Sequence, residues 1–505
     1  MRFITIRALV ALLLFMTLAA WAMGSAVGST PDEDWVLTNI WCATTIETPY
    51  CARTTSRHLD LEEQEPVIRL PQMIAEPHFC YVSTGQDTSA SCQAELRDKE
   101  VEVTLASFTL QPRRYFDIAR KFVSQFIEPN VVKMRLFNSF LAATLISLAL
   151  LLHQRRSSDI WLAWLAVFAP VTAYFIASVN TSSWAIIGTT TFVFGMISAV
   201  QNRKNLKVFV PSILLTVFSL WFANSARPES GYFLLPLALA IICYEFAPKK
   251  FKLNKNILAI AIALPVSLFF VFTSSSKYLG GTINILNDPR VEVTESATTT
   301  ASNLLLQNFL NLPRFIMGFF GGWGLGWFEV DVTQTVSLLT LETFLLTTVF
   351  VLRKSSKIHR TIFGGMFALM LSSILYSNQQ TFTPIGQVIQ PRYFLPFFLG
   401  LVIIAAAYKT VRYPNSLVIT VAILATISNS IALRNTIRRY TTGQDVPISK
   451  SLNNPIEWWW QFGPEPETVW LIGTLAFAGL FAVLIYERNK EEIETQQSPT
   501  AELAN

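Results

Sequence analysis

The chain has 505 residues, 51% of them hydrophobic and 13% aromatic, with 38 Phe, only 14% charged residues and a net charge of +5. A soluble domain carries about a quarter charged residues, so a soluble enzyme of this size is excluded. The basic residues lie in short clusters between apolar runs, so the positive balance is no nucleic-acid signal and no nucleic-acid partner is expected.

Those runs, about twenty residues each, match a hydrocarbon layer of roughly 30 Å and define a polytopic membrane protein. In chain order they predict an all-α bundle of about 12 spans, near 4–24, 132–152, 159–178, 183–201, 207–224, 230–247, 256–275, 335–352, 361–378, 393–408, 415–433 and 468–486. The loops after every second span are basic: Arg155 and Arg156, Arg203 to Lys207, Lys249 to Lys255, Arg353 to Arg360, Lys409 and Arg412, Arg488 and Lys490. The positive-inside rule places these loops and both termini in the cytoplasm. Residues 8–22 also resemble a signal-peptide core, with Ala20-Trp21-Ala22 as a cleavage site, so residues 1–24 read either as a first span or as a signal anchor.

Residues 25–131 form the largest loop and are expected outside. Cys42, Cys51, Cys80 and Cys92 lie there, as expected of an oxidising compartment and a small core needing staples. Three pairings are open, nearest-neighbour pairing among them. Cys243, within a span, reads as a packing residue. The end of the loop, 115–127, has Phe116, Ala119, Phe122 and Phe126 at helical spacing and predicts an amphipathic helix on the membrane surface. In the bundle, 132–486, the stretch Phe315 to Phe328 is short and broken by glycines; it reads as re-entrant or interfacial. The polar tail, 487–505, reads as disordered and cytoplasmic.

Three constellations carry chemistry. Thr30-Pro31-Asp32-Glu33-Asp34 follows the first span. It forms a capping box, with Thr30 as N-cap, Pro31 at N1 and Glu33 closing the box, and it also sets Asp32, Glu33 or Asp34 at the membrane surface as a general base. The same acids have the oxygen ligands that a divalent cation takes, although the scattered histidines match no zinc site and no protein-held transition metal is expected. Arg392 and Tyr393 open the tenth span, where a guanidinium either anchors the interface or binds a phosphate; Arg227, beside Glu229, poses the same choice, with a local ion pair favoured. Glu342 lies inside a span and is a functional candidate by default, whereas Trp458, Trp459 and Trp460 read as an interfacial belt before a sugar-stacking platform.

Pro31-Asp32-Glu33, the Arg227-Pro228 turn and Arg392-Tyr393-Phe394-Leu395-Pro396 resemble motifs of a family of bacterial, often actinobacterial, polytopic membrane proteins catalogued as a domain of unknown function. That family usually has a His soon after the acids and a Gly before the Arg-Tyr; here Trp35 and Val36 follow Asp34, and Pro391 precedes Arg392. The architecture is in turn similar to GT-C glycosyltransferases. The resemblance implies a plasma-membrane enzyme that moves a sugar from a polyprenyl-phosphate carrier to an envelope glycan or glycolipid acceptor among membrane lipids. An acid of 32–34 would serve as base, with Arg392 and Arg227 on the lipid phosphate. A transporter or flippase of lipid-linked glycans is the rival reading, and an envelope scaffold the third. A shared site requires carboxylate and guanidinium within roughly 8–15 Å, the span of an acceptor hydroxyl, a sugar and a phosphate.

Overall fold

In the computed structural model, residues 2–42, 49–55, 66–82, 85, 87–104, 114–152, 157–246, 301–409, 411–447 and 450–497 are described. The chain is mostly helical. In order it forms α1 (Arg2–Met23), α2 (Glu33–Trp41), α3 (Gln72–Ala75), α4 (Phe79–Val82), α5 (Arg114–Ala119), α6 (Ile127–Leu151), α7 (Ser157–Val167), α8 (Pro170–Ile176) and α9 (Thr181–Gln201). There follow α10 (Leu206–Ala226), α11 (Gly231–Phe246), α12 (Ala301–Gly318), α13 (Gln334–Arg353), α14 (Lys357–Gln380), α15 (Pro391–Ala407), α16 (Asn415–Thr441) and α17 (Pro466–Gln497).

Among the described residues, 9 helices are long and apolar enough to cross a membrane. The predicted span 159–178 is not one straight helix: α7 and α8 meet at 93°. Pro170 is the cause, since it offers no N–H and pushes the preceding Ala169 into extended backbone (ψ 155°). The tenth predicted span is α15, a shorter apolar helix with Pro391 at its start. The predicted span 256–275 lies outside the described residues.

The bundle is organised around α9, which is buried throughout. Its Gly188 and Gly195 face α10 so closely that a Cβ would lie 2.8 Å from Ala223 Cβ or from Thr216 Oγ1, the small-residue contact by which membrane helices pack. One end of the bundle gathers buried ion pairs. Asp159 at the start of α7 meets Lys409 (3.4 Å) and Arg488 (3.2 Å), and Arg7 meets Glu487 (3.1 Å). Replacing Asp159 by Asn removes the buried carboxylate that these two cations share. The expected cost is about 3–5 kcal/mol, read as earlier unfolding of the purified protein.

Several details differ from the sequence expectation. The chain is not purely α-helical: β1 (Ala52–Thr55), β2 (Pro66–Pro71) and β3 (Glu100–Thr104) form an antiparallel sheet in the order β1-β2-β3 within the first large loop. The cysteines, by contrast, agree with expectation: two disulfides join neighbours, Cys42 with Cys51 and Cys80 with Cys92. The helix expected over 115–127 stops at Ala119, passes into a 3-10 turn at Arg120–Phe122 and restarts only at Ile127. Tertiary contacts interrupt it: Arg120 donates back to the carbonyls of Asn39 and Ile40 (both 3.1 Å), at the end of α2. Tyr115 and Phe116 are buried against Trp184 and Trp35, not laid on a surface.

The stretch 315–328 is no helical hairpin. Its first four residues end α12, and Gly321, Gly324 and Gly326, all at positive φ, fold the rest into a tight loop closed by a bridge between Leu325 and Val330. The tail is helical as far as Gln497, with Glu487 and Arg488 in buried pairs; 498–505 lie outside the described residues. Cys243 is exposed on α11, not packed.

Candidate functional site

The opposite end of the bundle is built on the loop between α1 and α2. Its carbonyls are almost all engaged by side chains from distant helices. Arg135 of α6 donates to the carbonyls of Ala22 (3.3 Å), Ser25 (2.6 Å) and Ala26 (2.7 Å). Gln93 binds Val27 O (2.7 Å), Trp327 binds Gly28 O (2.9 Å) and Tyr174 binds Ser29 O (2.8 Å). Pro31 O accepts from both Asn180 (2.7 Å) and Arg392 (2.6 Å). Buried carbonyls demand such partners, and their number leaves the loop one conformation.

The three acids at its end point in three directions. Glu33 is fully buried, with both carboxylate oxygens on Arg135 (2.9 and 3.0 Å), and it also accepts from the Thr30 amide (3.2 Å) and hydroxyl (3.1 Å). The Thr30 and Glu33 contacts of the expected box are therefore present, but the helix starts two residues later than expected: Asp32 is the N-cap, at φ 68°, and its side chain caps nothing. That carboxylate is drawn instead to Arg392, 2.6 Å away. Strained backbone of this kind persists only where surrounding contacts impose it.

Asp32 and Arg392 thus meet directly, at 2.6 Å and not at the expected 8–15 Å, which leaves no room for a sugar between them. Arg392 is 3% exposed and Asp32 49%, so the guanidinium is buried behind a carboxylate open to the outside. Arg392 also donates to the Tyr393 hydroxyl (3.2 Å). Arg227 reaches the same tyrosine: its guanidinium lies 4.4 Å from the Tyr393 ring centre, and that of Arg392 5.0 Å. Arg227 forms the expected local pair with Glu229 (2.7 Å) and also donates to Ser182 (2.9 Å). Glu229, like Asp32, is about half exposed (45%).

Asp34, in the first turn of α2, has no cation within ion-pairing distance among the described residues. Burial, with a smaller push from the Asp32 charge, raises its carboxyl to about 7, and its Oδ1 is buried without a hydrogen-bond partner among the described residues. No histidine follows it in sequence, yet His78 lies beside it in space, Nδ1 to Oδ2 4.0 Å. Burial lowers that imidazole to about 4, so it is neutral at pH 7, and it stacks on Trp327 at 4.2 Å. Trp327 belongs to the glycine loop after α12, which is pinned again where Glu329 accepts from Tyr440 (2.8 Å).

The remaining candidates stand apart. Glu342 is exposed on α13 and joins none of these ion pairs. Trp458 and Trp460 are buried, and Trp460 donates to Met23 O (2.8 Å), so they lock loops together. Among the described residues no three His, Cys, Asp or Glu side chains cluster as metal ligands, and the acids at 32–34, each turned elsewhere, do not fit a cation site. Sequence reasoning missed Arg135, His78 and Trp327. Arg135 had a signal, being an ionisable residue inside an apolar run; His78 and Trp327 had none.

Fold and site together define a multi-pass membrane protein whose first interhelical loop is fixed as one wall of a charged, partly open cluster. Within that class, the chain belongs to the predicted membrane protein family DUF2142, whose model matches residues 15–401 and so takes in Asp32, Asp34, His78, Arg227 and Arg392. Searches of curated proteins and of solved structures gave no significant match.

Proposed function

We propose that this protein is a GT-C-like glycosyltransferase of the bacterial plasma membrane, with both termini cytoplasmic, moving a sugar from a polyprenyl-phosphate carrier to an envelope acceptor. The observation that carries this reading is the pair of arginines against one tyrosine, Arg392 buried and Arg227 partly so, each paired with a half-exposed carboxylate, with the raised carboxyl of Asp34 two residues on from Asp32. Guanidinium groups bind phosphate through parallel charge-assisted bonds. A lipid phosphate takes the places of Asp32 and Glu229, which turn outward to solvent. Asp34, in the ionised form it takes as pH rises through about 7, removes the proton of the acceptor hydroxyl. The acceptor hydroxyl's oxygen forms a bond to the anomeric carbon, its proton passing to Asp34, while the bond from this carbon to the phosphate oxygen breaks. The leaving phosphate keeps the electron pair and is held by Arg392 and Arg227. Glu33, fully buried on Arg135, is reassigned from candidate base to structure.

With the protein in nanodiscs, Arg392→Gln is expected to weaken binding of polyprenyl phosphate about 10- to 100-fold, the worth of one or two charge-assisted hydrogen bonds. Unchanged binding in both Arg392→Gln and Arg227→Gln would remove the phosphate site. The broken α7 and α8 pair favours a second reading, transport, because interrupted spans line transport pathways and Phe175 of α8 lies 5.5 Å from the Arg392 guanidinium. Flipping of a lipid-linked sugar in proteoliposomes, undiminished in Asp34→Asn and without any transfer, would put transport first.

A further inference from the structure

The glycine loop after α12 has a second face. On it opens a cleft of about 660 Å³, within the roughly 300–1,000 Å³ of small-molecule sites, between the end of α12, the loop and the first turn of α13. Arg314, Trp323, Phe328, Asp331, Gln334 and Ser337 line it. Ser337 is 3% exposed, and its hydroxyl has no hydrogen-bond partner among the described residues. A buried hydroxyl left unpaired behind a cleft wall lacks a partner that a water or a ligand in the cleft would supply. The first turn of α13 adds amide groups, for its N-cap, Thr333, makes no side-chain cap.

The mixture of groups selects the ligand class. A simple anion would be repelled by Asp331 and a simple cation by Arg314. A neutral polyol uses both, since each hydroxyl donates one hydrogen bond and accepts others. Trp323, whose Nε1 donates to Arg314 O (2.7 Å), lines the cleft with the Arg314 guanidinium 5.9 Å from its ring centre, so it adds apolar surface beside a cation. The helix that borders the cleft also packs on the helix of Arg392: Gly318, at the end of α12, abuts the Pro391 ring, next in sequence to Arg392.

We infer that this cleft binds an uncharged oligosaccharide and is the acceptor subsite, a deepening that rests on the glycosyltransferase reading. The test uses the full chain in nanodiscs, free of maltoside detergent, on an array of neutral di- to hexasaccharides of hexoses and pentoses. Wild type should retain a subset. Asp331→Ala and Gln334→Ala, both exposed and so harmless to folding, should each weaken retention about tenfold, while Arg392→Gln leaves it unchanged. Failure of wild type to retain any glycan, or retention undiminished in Asp331→Ala, Gln334→Ala and Trp323→Ala alike, overturns the subsite. Transfer from a polyprenyl-phosphate sugar is assayed on the same samples. Retention without transfer keeps the cleft and removes the transferase; transfer without retention does the reverse.

Discussion

Asp34→Asn is expected to lower sugar transfer by about 10²- to 10⁴-fold, the usual contribution of a positioned general base. In wild type the rate should rise with pH and level off through an inflection near 7, where burial has placed the carboxyl. The stability change has the opposite sign. Folded Asp34 holds its proton more tightly than the unfolded chain does, so it favours folding while protonated, and this advantage is lost as pH rises from 3.8 through about 7. Above pH 7 the Asn variant should therefore unfold no earlier than wild type. A variant inactive but undiminished in stability separates catalysis from folding. Full transfer by Asp34→Asn would sink the base assignment.

Arg135→Met should be the most destabilising single change at this end of the protein, by about 3–5 kcal/mol, because it strands Glu33 as a buried, uncompensated charge. Glu33→Gln is expected to cost folding as well, so its loss of activity would not identify a base. The double variant Arg135→Met with Glu33→Leu removes the buried charges but not the whole defect, since Arg135 also satisfies the carbonyls of Ala22, Ser25 and Ala26. A double-mutant cycle in denaturant unfolding measures the coupling. Additive effects would show that the two side chains do not act as a pair.

The membrane class and most of the spans were legible in the chain because they rest on local properties, whereas the nearness of residues 31–34 to Arg392, some 360 positions apart, was expected only as the condition of one shared site. A run of about twenty apolar residues needs no partner to declare itself, and an arginine at the start of a span already breaks the charge trend. The glycine-rich stretch 315–328 was legible as irregular backbone, but its shape was not. Several glycines permit many turns, and contacts such as Trp327 with Gly28 O and Glu329 with Tyr440 select one.

What the sequence by itself determined is the solvent this protein lives in, the length of its helices and the chemical stock at their ends: acids at 32–34, arginines at 227 and 392, four cysteines in one loop. These follow from composition and period alone. Only the tertiary structure decided which acid does what. Asp32, Glu33 and Asp34 are adjacent and chemically alike, yet Arg392 claims the first, Arg135 buries the second, and the third is left in a desolvated place beside His78. A carboxyl's proton affinity and reach are set by burial and by the charges around it, and the burial and the pairing arginines come from residues about a hundred to several hundred positions away along the chain.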